Sequence, residues 1–337
     1  MKYSGIDLHS NNSVVTVTDD ADRVVAEKRL PNELPKILAF LAPWQAELVG
    51  VVVESTFNWY WLVDGLQAAG FTVHLAHTAA IKKYDGLKHS GDETDARYLA
   101  QLLRLGILPT GTILSPEHRA VRDLARKRMQ LVRTRTSHIL SVENITARQF
   151  GVRITSNQVK RLGEEAINQM RLPDDVALAV RANVAVITTL CAQIDVVEKR
   201  LQEKVAPNPD YALLTTVPGI GQTLATVILL ETGPIERFSG VGNFASYARC
   251  VDSQHTSNGK KKGEGNIRNG NPYLSWAFIE AANLALRYCA EARRFYERKK
   301  GKSNTILARK ALSHKLARAC FHILKDHKPF DTTRCFT

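Results

Sequence analysis

The first 76 residues constrain the fold most strongly, because strand-length apolar runs alternate there with two stretches of helical period. Runs at about 2–8, 13–18 and 23–30 are rich in β-branched residues and separated by short polar turns, which predicts an antiparallel meander of three strands. A helix is expected at 32–43, a strand at 47–53, a helix at 57–69 and a strand at 71–76. Leu48-Val-Gly-Val-Val-Val53 is continuously apolar, as a strand covered on both faces should be, and strands alternating with helices suit parallel addition to the sheet. A basic connection carrying Lys82, Lys83 and Lys88 leads to a third helical stretch within Gly91–Arg104, whose Ala96, Leu99, Ala100, Leu102 and Leu103 follow a helical period.

That order, β-β-β-α-β-α-β-α, is the order of ribonuclease H-like domains, and it places four carboxylates. Asp7 closes the first strand and Glu54 the fourth, two strands that are neighbours in such a sheet. Asp92 and Asp95 fall three apart on one face of the third helix's first turn, where the positive end of the helix dipole favours them. Taken singly, each has a structural use as a strand end or helix N-cap. Together they suit a pair of divalent metals about 3.5–4 Å apart, the arrangement that activates an attacking oxygen and stabilises a leaving one in phosphodiester chemistry. Magnesium prefers such hard oxygen ligands, and no His/Cys set competes with them in the sequence. His9 is read as a turn residue rather than a ligand, and Trp59 and Trp61 as core.

Pro109 and Gly111 end this first segment, and from Pro116 to about Glu203 the chain is almost wholly helical in pattern. Leu124, Leu131 and His138 are seven apart. A second arm runs from Asp174 through Val176, Leu178, Val180, Val184, Ile187, Leu190, Ile194, Val197 and Leu201, and a polar bend from Thr155-Ser156-Asn157 onward joins the two. An antiparallel helical hairpin or coiled-coil dimerisation arm is expected. The last segment opens with Val217-Pro218-Gly219-Ile220-Gly221 between two helices. This is a helix-hairpin-helix pattern, in which glycines let backbone N–H groups face a phosphate. A Gly- and Lys-rich loop from Ser253 to Pro272, a helix at Tyr273–Arg287 and a basic helical tail follow. The expected fold class is therefore α/β plus all-α: 1–110 ribonuclease H-like (RuvC-like), 111–206 a helical hairpin or coiled-coil arm, and 207–337 a helical domain with the helix-hairpin-helix.

A formal charge of +13 over 337 residues points to a polyanionic partner, since Lys and Arg bind phosphate backbones with release of counterions. Arg119, Arg122, Arg126, Lys127 and Arg128, with Arg133 and Arg135 beyond, form a dense run on the first long helix and are read as nucleic-acid contacts. A second basic patch around Arg293–Lys302 interleaves Phe295 and Tyr296, for which inward packing is the commoner use. No apolar run is read as reaching the roughly 18 to 20 residues of a membrane span, and no signal-peptide pattern opens the chain, so a cytoplasmic protein, nucleoid-associated when acting, is expected. Five scattered cysteines (191, 250, 289, 320, 335) without a Cys-x-x-Cys pair are read as reduced thiols.

Gly5-Ile6-Asp7-Leu8-His9, Val53-Glu54-Ser55-Thr56 and Asp92-Glu93-Thr94-Asp95-Ala96, joined in order to Val217–Gly221 and to Ser257-Asn258-Gly259 upstream of Gly270-Asn271, resemble the DEDD-type insertion-sequence transposases. The resemblance covers residue 1 to about 290. It implies a DNA recombinase with a RuvC-like N-terminal domain and a helical C-terminal transposase domain, in which Asp7, Glu54, Asp92 and Asp95 bind magnesium and Ser257 is the nucleophile toward DNA. It also implies a structured non-coding guide RNA that pairs with donor and target DNA. A homo-oligomer, dimer or tetramer, is expected. Many members have glycine directly after the serine, where this chain has Asn258, so the loop register leaves Ser253 as the other candidate. From the residues alone, a serine in such a loop is more often a turn former. Gly219, Gly221, Lys260, Lys261, Lys262 and Arg268 are the expected phosphate contacts of this region.

Three other classes compete. A Holliday-junction-type nuclease would use the carboxylates and no serine. An actin-like ATPase or sugar kinase also opens with Gly-Ile-Asp but needs a second phosphate loop, which is not found. A non-catalytic nucleic-acid-binding protein would need neither metal nor serine.

Overall fold

The three N-terminal runs form the expected meander: β1 (Lys2–Leu8) pairs antiparallel with β2 (Asn12–Asp19), and β2 with β3 (Val24–Pro31). The computed structural model describes residues 1–81, 91–252, 255–263 and 269–336, in two compact units, Met1–Pro116 and Glu117–Thr337. Lys82, Lys83, Lys88, Ser253 and Arg268 lie outside the described residues.

In the first unit, helix α1 (Leu34–Leu41) precedes β4 (Leu48–Glu54), which runs parallel to β1; α2 (Tyr60–Ala68) then leads to β5 (Val73–Ala76), parallel to β4. A sixth strand, β6 (Thr110–Gly111), adds antiparallel to β5 and completes the order β3-β2-β1-β4-β5-β6. Two residues carry no periodicity, which is why the sequence shows only a boundary there.

Side chains alternate across the strands, so each face of the sheet collects its own core. Ile6, Leu8, Val15, Val17, Val51 and Val53 pack with Ile37, Leu41, Leu62 and Leu66 of α1 and α2, and Trp59 and Trp61 border that cluster half-buried. On the opposite face, Val52 and Ala76 pack with Leu99 of α3 (Asp92–Arg104).

The second unit contains the two long helices, α4 (Pro116–Phe150) and α7 (Asp174–Val205). Arg128 bonds Glu198, Arg135 approaches Cys191, and His138 bonds Asn183, so as α4 advances its partners on α7 recede, which is an antiparallel hairpin. The polar bend resolves into two short helices, α5 (Ser156–Val159), opened by a Thr155–Gln158 capping box, and α6 (Glu164–Gln169). Val159 and Ile167 join Ile139, Val142, Val180 and Ile187 in the core of this arm. By length and composition α7 is apolar enough to cross a membrane, which amends the reading that no stretch is; its Ala177, Val180 and Ile187 are spent on the arm's core.

Helices α8 (Pro209–Thr215) and α9 (Gln222–Thr232) flank the Val217–Gly221 turn, and α10 (Val241–Tyr247) follows. After a short hairpin of β7 (His255–Ser257) and β8 (Lys260–Gly263) come α11 (Pro272–Tyr288), α12 (Ala290–Lys300), α13 (Thr305–Asp326) and α14 (Thr332–Phe336). Phe295 and Tyr296 point into their common core, as do Cys250, Cys289 and Cys320, and all five cysteines are free thiols.

Candidate metal centre and serine hairpin

Strand β1 presents Tyr3, Gly5 and Asp7 toward α3, and Gly5 is the point of closest approach. A Cβ built there would lie 2.0 Å from the Ala96 carbonyl oxygen and 2.9 Å from the Ala100 nitrogen, so only hydrogen fits. That contact seats the first turn of α3 beside the end of β1. Asp7, with its side chain 5% exposed, and Asp92 then meet across the imidazole of His9, whose Nε2 is 3.4 Å from Asp7 Oδ2 and 3.1 Å from Asp92 Oδ2. One ligand atom from each of the three lies within 4.8 Å of the others.

Glu54 lies one register step beyond the Ile6–Val53 pair of the parallel β1–β4 ladder, next to Asp7's place on β1. Two residues on from Val52, which packs toward α3, it belongs to the same face of the sheet as Asp7. Asp95 sits in the first turn of α3, its N–H bonded to the Gly91 carbonyl. Asp7 and Asp92 thus converge directly, while Glu54 and Asp95 flank them outside the three-residue cluster.

Several side chains that the sequence did not single out hold this site. The His9 carbonyl accepts hydrogen bonds from the Asn32 and Asn58 amides, and its N–H donates to Asn12, so the β1–β2 turn is tied to the segments that follow β3 and β4. His9 is therefore both a turn residue, as expected, and a neighbour of two carboxylates. Arg29 donates from NH2 to Asp92 at 2.7 Å and to Glu93 at 3.1 Å. Its guanidinium, with the His9 imidazole adding to it, holds the Asp92 carboxyl below the usual carboxylate range. Farther along α3, Arg97 grips Glu27 through two bonds of 2.6 Å and Arg104 grips Asp22 through two of 2.6 and 2.5 Å. These pairs fasten α3 to β3 and to the β2–β3 turn. Carboxylate oxygens and one imidazole nitrogen in this spacing fit a hard divalent cation.

Gly5→Ala should consequently cost about 1–3 kcal/mol, the usual penalty of overpacking, and shift α3 by enough to lower activity about 100-fold, the scale of a 1 Å misplacement. Thermal unfolding and a turnover assay read both effects. A variant with unchanged melting and turnover would show that the close approach does not set the site.

In the second unit, Ser257 is the last residue of β7, exposed at the hairpin tip and paired across the ladder with Lys260. Asn258 and Gly259 both have positive φ, 51° and 69°, and make the two-residue turn. Asn-Gly is the strongest short hairpin signal, and it turns the centre of the expected Gly- and Lys-rich loop into a hairpin. Lys260 and Lys262 are exposed on β8, which also includes Lys261.

The basic run on α4 does not form one exposed stripe. Arg119 is 2% exposed, the Arg122 side chain 14% exposed beside Asp123, Arg126 pairs with Glu231, and Arg128 pairs with Glu198. The partner acids lie 70 and 105 residues away in the chain, so the sequence could not show that these charges are offset. Lys127 and Arg133 are exposed and line a cavity of about 450 Å³ with Arg126 and Tyr273. Gly219, at φ +88°, faces α11: a Cβ there would lie 2.4 Å from the Ala281 carbonyl oxygen. Its glycine is required by helix packing, whereas Gly221 stands exposed and open at the N-terminus of α9.

Comparison with known proteins gives two family matches. Residues 4–147 match the DEDD-type transposase family of the IS110 group, and residues 211–297 match the family described as Transposase IS116/IS110/IS902. The chain is 28% identical over 293 residues to a probable family 20 transposase of Pseudomonas aeruginosa, covering 85% of this chain and 84% of the relative. It is 23% identical over 286 residues to the transposase for insertion sequence element IS1328 of Yersinia enterocolitica, covering 84% and 83%. A third relative, the transposase for insertion sequence element IS1111A of Coxiella burnetii, is 22% identical over 298 residues, covering 86% and 79%.

Proposed function

Because this chain belongs to the IS110/IS116 family of insertion-sequence transposases, and so acts on DNA in transposition, we propose that it cuts and rejoins element DNA with a magnesium-binding carboxylate set and a serine nucleophile. The observation that carries the reading is the convergence of Asp7 and Asp92 at one end of the strands of the β3-β2-β1-β4-β5-β6 sheet, with Glu54 on the strand adjoining β1. The DEDD match implies a ribonuclease H-like fold for that sheet, and a RuvC-like catalytic domain over 1–110 is the finer form of the reading. Residues 111–206 are then the helical arm and 207–337 the transposase domain.

Asp7, Glu54, Asp92 and Asp95 would hold divalent metal, Mg2+ in this proposal, with His9 beside them. When bound, such an ion supplies electrostatic stabilisation of phosphate charge. The chain's own residues do the rest. Asp7, buried and acceptor-only, fixes the position of the site, and Arg29 balances Asp92. Ser257 Oγ forms a bond to phosphorus as the bond from phosphorus to one strand oxygen breaks; the serine's proton leaves and that strand end departs as a hydroxyl. Rejoining reverses the exchange: a strand-end hydroxyl attacks the phosphoserine, its proton is released, and Ser257 regains its own. Lys260 opposite Ser257, with Lys261, Lys262 and Arg268, is suited to hold the phosphate. The exposed cations Lys127 and Arg133, and the open α9 N-terminus at Gly221, are the proposed backbone contacts.

The full chain incubated with element-end DNA should join strands in Mg2+ and stop in chelator; joining that survives chelation overturns the metal reading. A guide RNA is part of the proposal, and sequencing nucleic acid that co-purifies with the chain tests it: recovery of DNA alone counts against it. An oligomer is supported by the exposed positions Leu178, Ala182, Ala185, Thr189, Ala192 and Val196 of α7, which alternate four and three apart as a coiled-coil seam does. Ala185→Glu should shift light-scattering mass to the monomer; an unchanged mass removes that seam from the interface.

A further inference from the structure

The loop that carries Ser257 is closed at its neck, and the neck is bolted to α4 by a buried polar relay. The entry side is Tyr247–Cys250 and the exit side Asn269–Asn271. Asn271 donates its backbone N–H to the Tyr247 carbonyl, 2.6 Å, and Arg249 donates from Nε to the carbonyls of Asn269 and Gly270, 3.0 and 3.1 Å. Arg249 and Gly270 both have positive φ, and a Cβ on Gly270 would lie 2.6 Å from the Tyr247 carbonyl oxygen, so the two sides meet without room to spare.

Asn271, 5% exposed, does two things at once. Its Oδ1 accepts from the Tyr273 and Leu274 N–H groups and caps α11, while its Nδ2 donates to Glu231 Oε2 at 2.7 Å and reaches the Tyr247 hydroxyl at 3.3 Å. Glu231 of α9, 4% exposed, receives Arg126 Nε on Oε1 at 2.6 Å and Arg126 NH2 on Oε2 at 2.8 Å. Arg126 in turn lies over the Tyr273 ring, 4.6 Å from its centroid. A buried carboxylate this fully bonded fixes geometry, because each member left without its partner bears the cost of desolvation.

We propose that Arg126, Glu231 and Asn271 are positioning residues that hold the neck of the serine hairpin against the base of the long helical arm, and thereby set where Ser257 is presented. The proposal rests on the reading of Ser257 as nucleophile for its role in the reaction, though not for the existence of the device.

The test uses the full chain and four variants. Asn271→Asp keeps a capping oxygen and sets a carboxylate against Glu231. Glu231→Gln with Asn271→Asp removes the repulsion between the two acids: the glutamine amide donates to the new acid and its carbonyl oxygen still accepts Arg126 Nε, while Arg126 NH2 loses the oxygen it shared with Asn271. Hydrogen exchange of the 247–271 peptides should quicken about tenfold in Asn271→Asp, the mark of a local opening. Exchange in α9 and α13 should stay put, and turnover should fall about 100-fold as a misplaced reactive group requires, at unchanged DNA affinity. The double variant should recover part of both readouts, as a coupled pair does, the remainder being the bond that Arg126 NH2 no longer makes. Unchanged exchange in Asn271→Asp, or a double variant no better than the single one, overturns the proposal. If Asn271→Asp loosens α9 and α13 as well, Asn271→Ser, which keeps the cap and removes only the amide offered to Glu231, should quicken the 247–271 peptides alone, and its failure to do so is equally decisive. A Ser257→Ala protein that still forms a covalent adduct would sink the nucleophile reading while leaving a positive exchange result standing, so the two failures are distinguishable.

Discussion

Replacing Asp7 by asparagine should reduce strand joining by at least about 1000-fold, since partners one shell out from a metal are already worth 10–100-fold each and Asp7 would be a direct ligand. The substitution is close to isosteric, so the fold gives little reason for the loss. Asp7 is buried at the end of β1, where its carboxylate lies near that of Asp92 with His9 between them. Removing one of two neighbouring negative charges relieves repulsion, and the melting temperature should hold or rise slightly. Mn2+ titration followed by electron paramagnetic resonance should show weaker binding in the same variant. Full activity in Asp7→Asn, with the fold intact, would remove this residue from the site.

Ser257→Ala should abolish a covalent protein–DNA adduct and lower strand exchange by about four orders of magnitude or more, as loss of an obligatory nucleophile does. The residue is exposed at a hairpin tip whose turn is made by Asn258 and Gly259, so the change should move stability by no more than about 0.5 kcal/mol. Denaturing electrophoresis of labelled DNA, with mass spectrometry of the adduct, reads the outcome. An undiminished adduct rules Ser257 out. Cleavage that survives in Ser257→Ala and is lost in Asp7→Asn would favour the junction-nuclease class. An equimolar mixture of the two variants addresses assembly: recovered activity means that one subunit's serine serves another's carboxylates.

The sheet was legible because its signals are local. A continuously apolar β4, a β-branched meander and the helical period of α3 each announce themselves within a dozen residues. The meeting of Asp7 and Asp92 came with them, since both stand at element ends that topology brings together. What was not legible depends on partners remote in sequence. Arg29 reaches Asp92 across 63 residues, Arg126 reaches Glu231 across 105, and neither pairing leaves a pattern in either segment. The same distance hid the close packing that makes Gly5 and Gly219 obligatory. The serine hairpin differs: Asn258-Gly259 carried the information, and the surrounding Gly and Lys residues obscured it.

The Arg29–Asp92 pair bears on how this protein is made as well as how it works. In small zinc-dependent domains the ligands repel one another until the ion arrives, and folding waits for the metal. Here the Arg29 guanidinium already pairs with Asp92, and the Arg97–Glu27 and Arg104–Asp22 pairs secure α3 independently of the site. The domain is thus expected to fold without metal, so that a divalent ion, on the proposed reading, is an exchangeable late addition. Metal supply would then regulate when the protein is active, without deciding whether it survives.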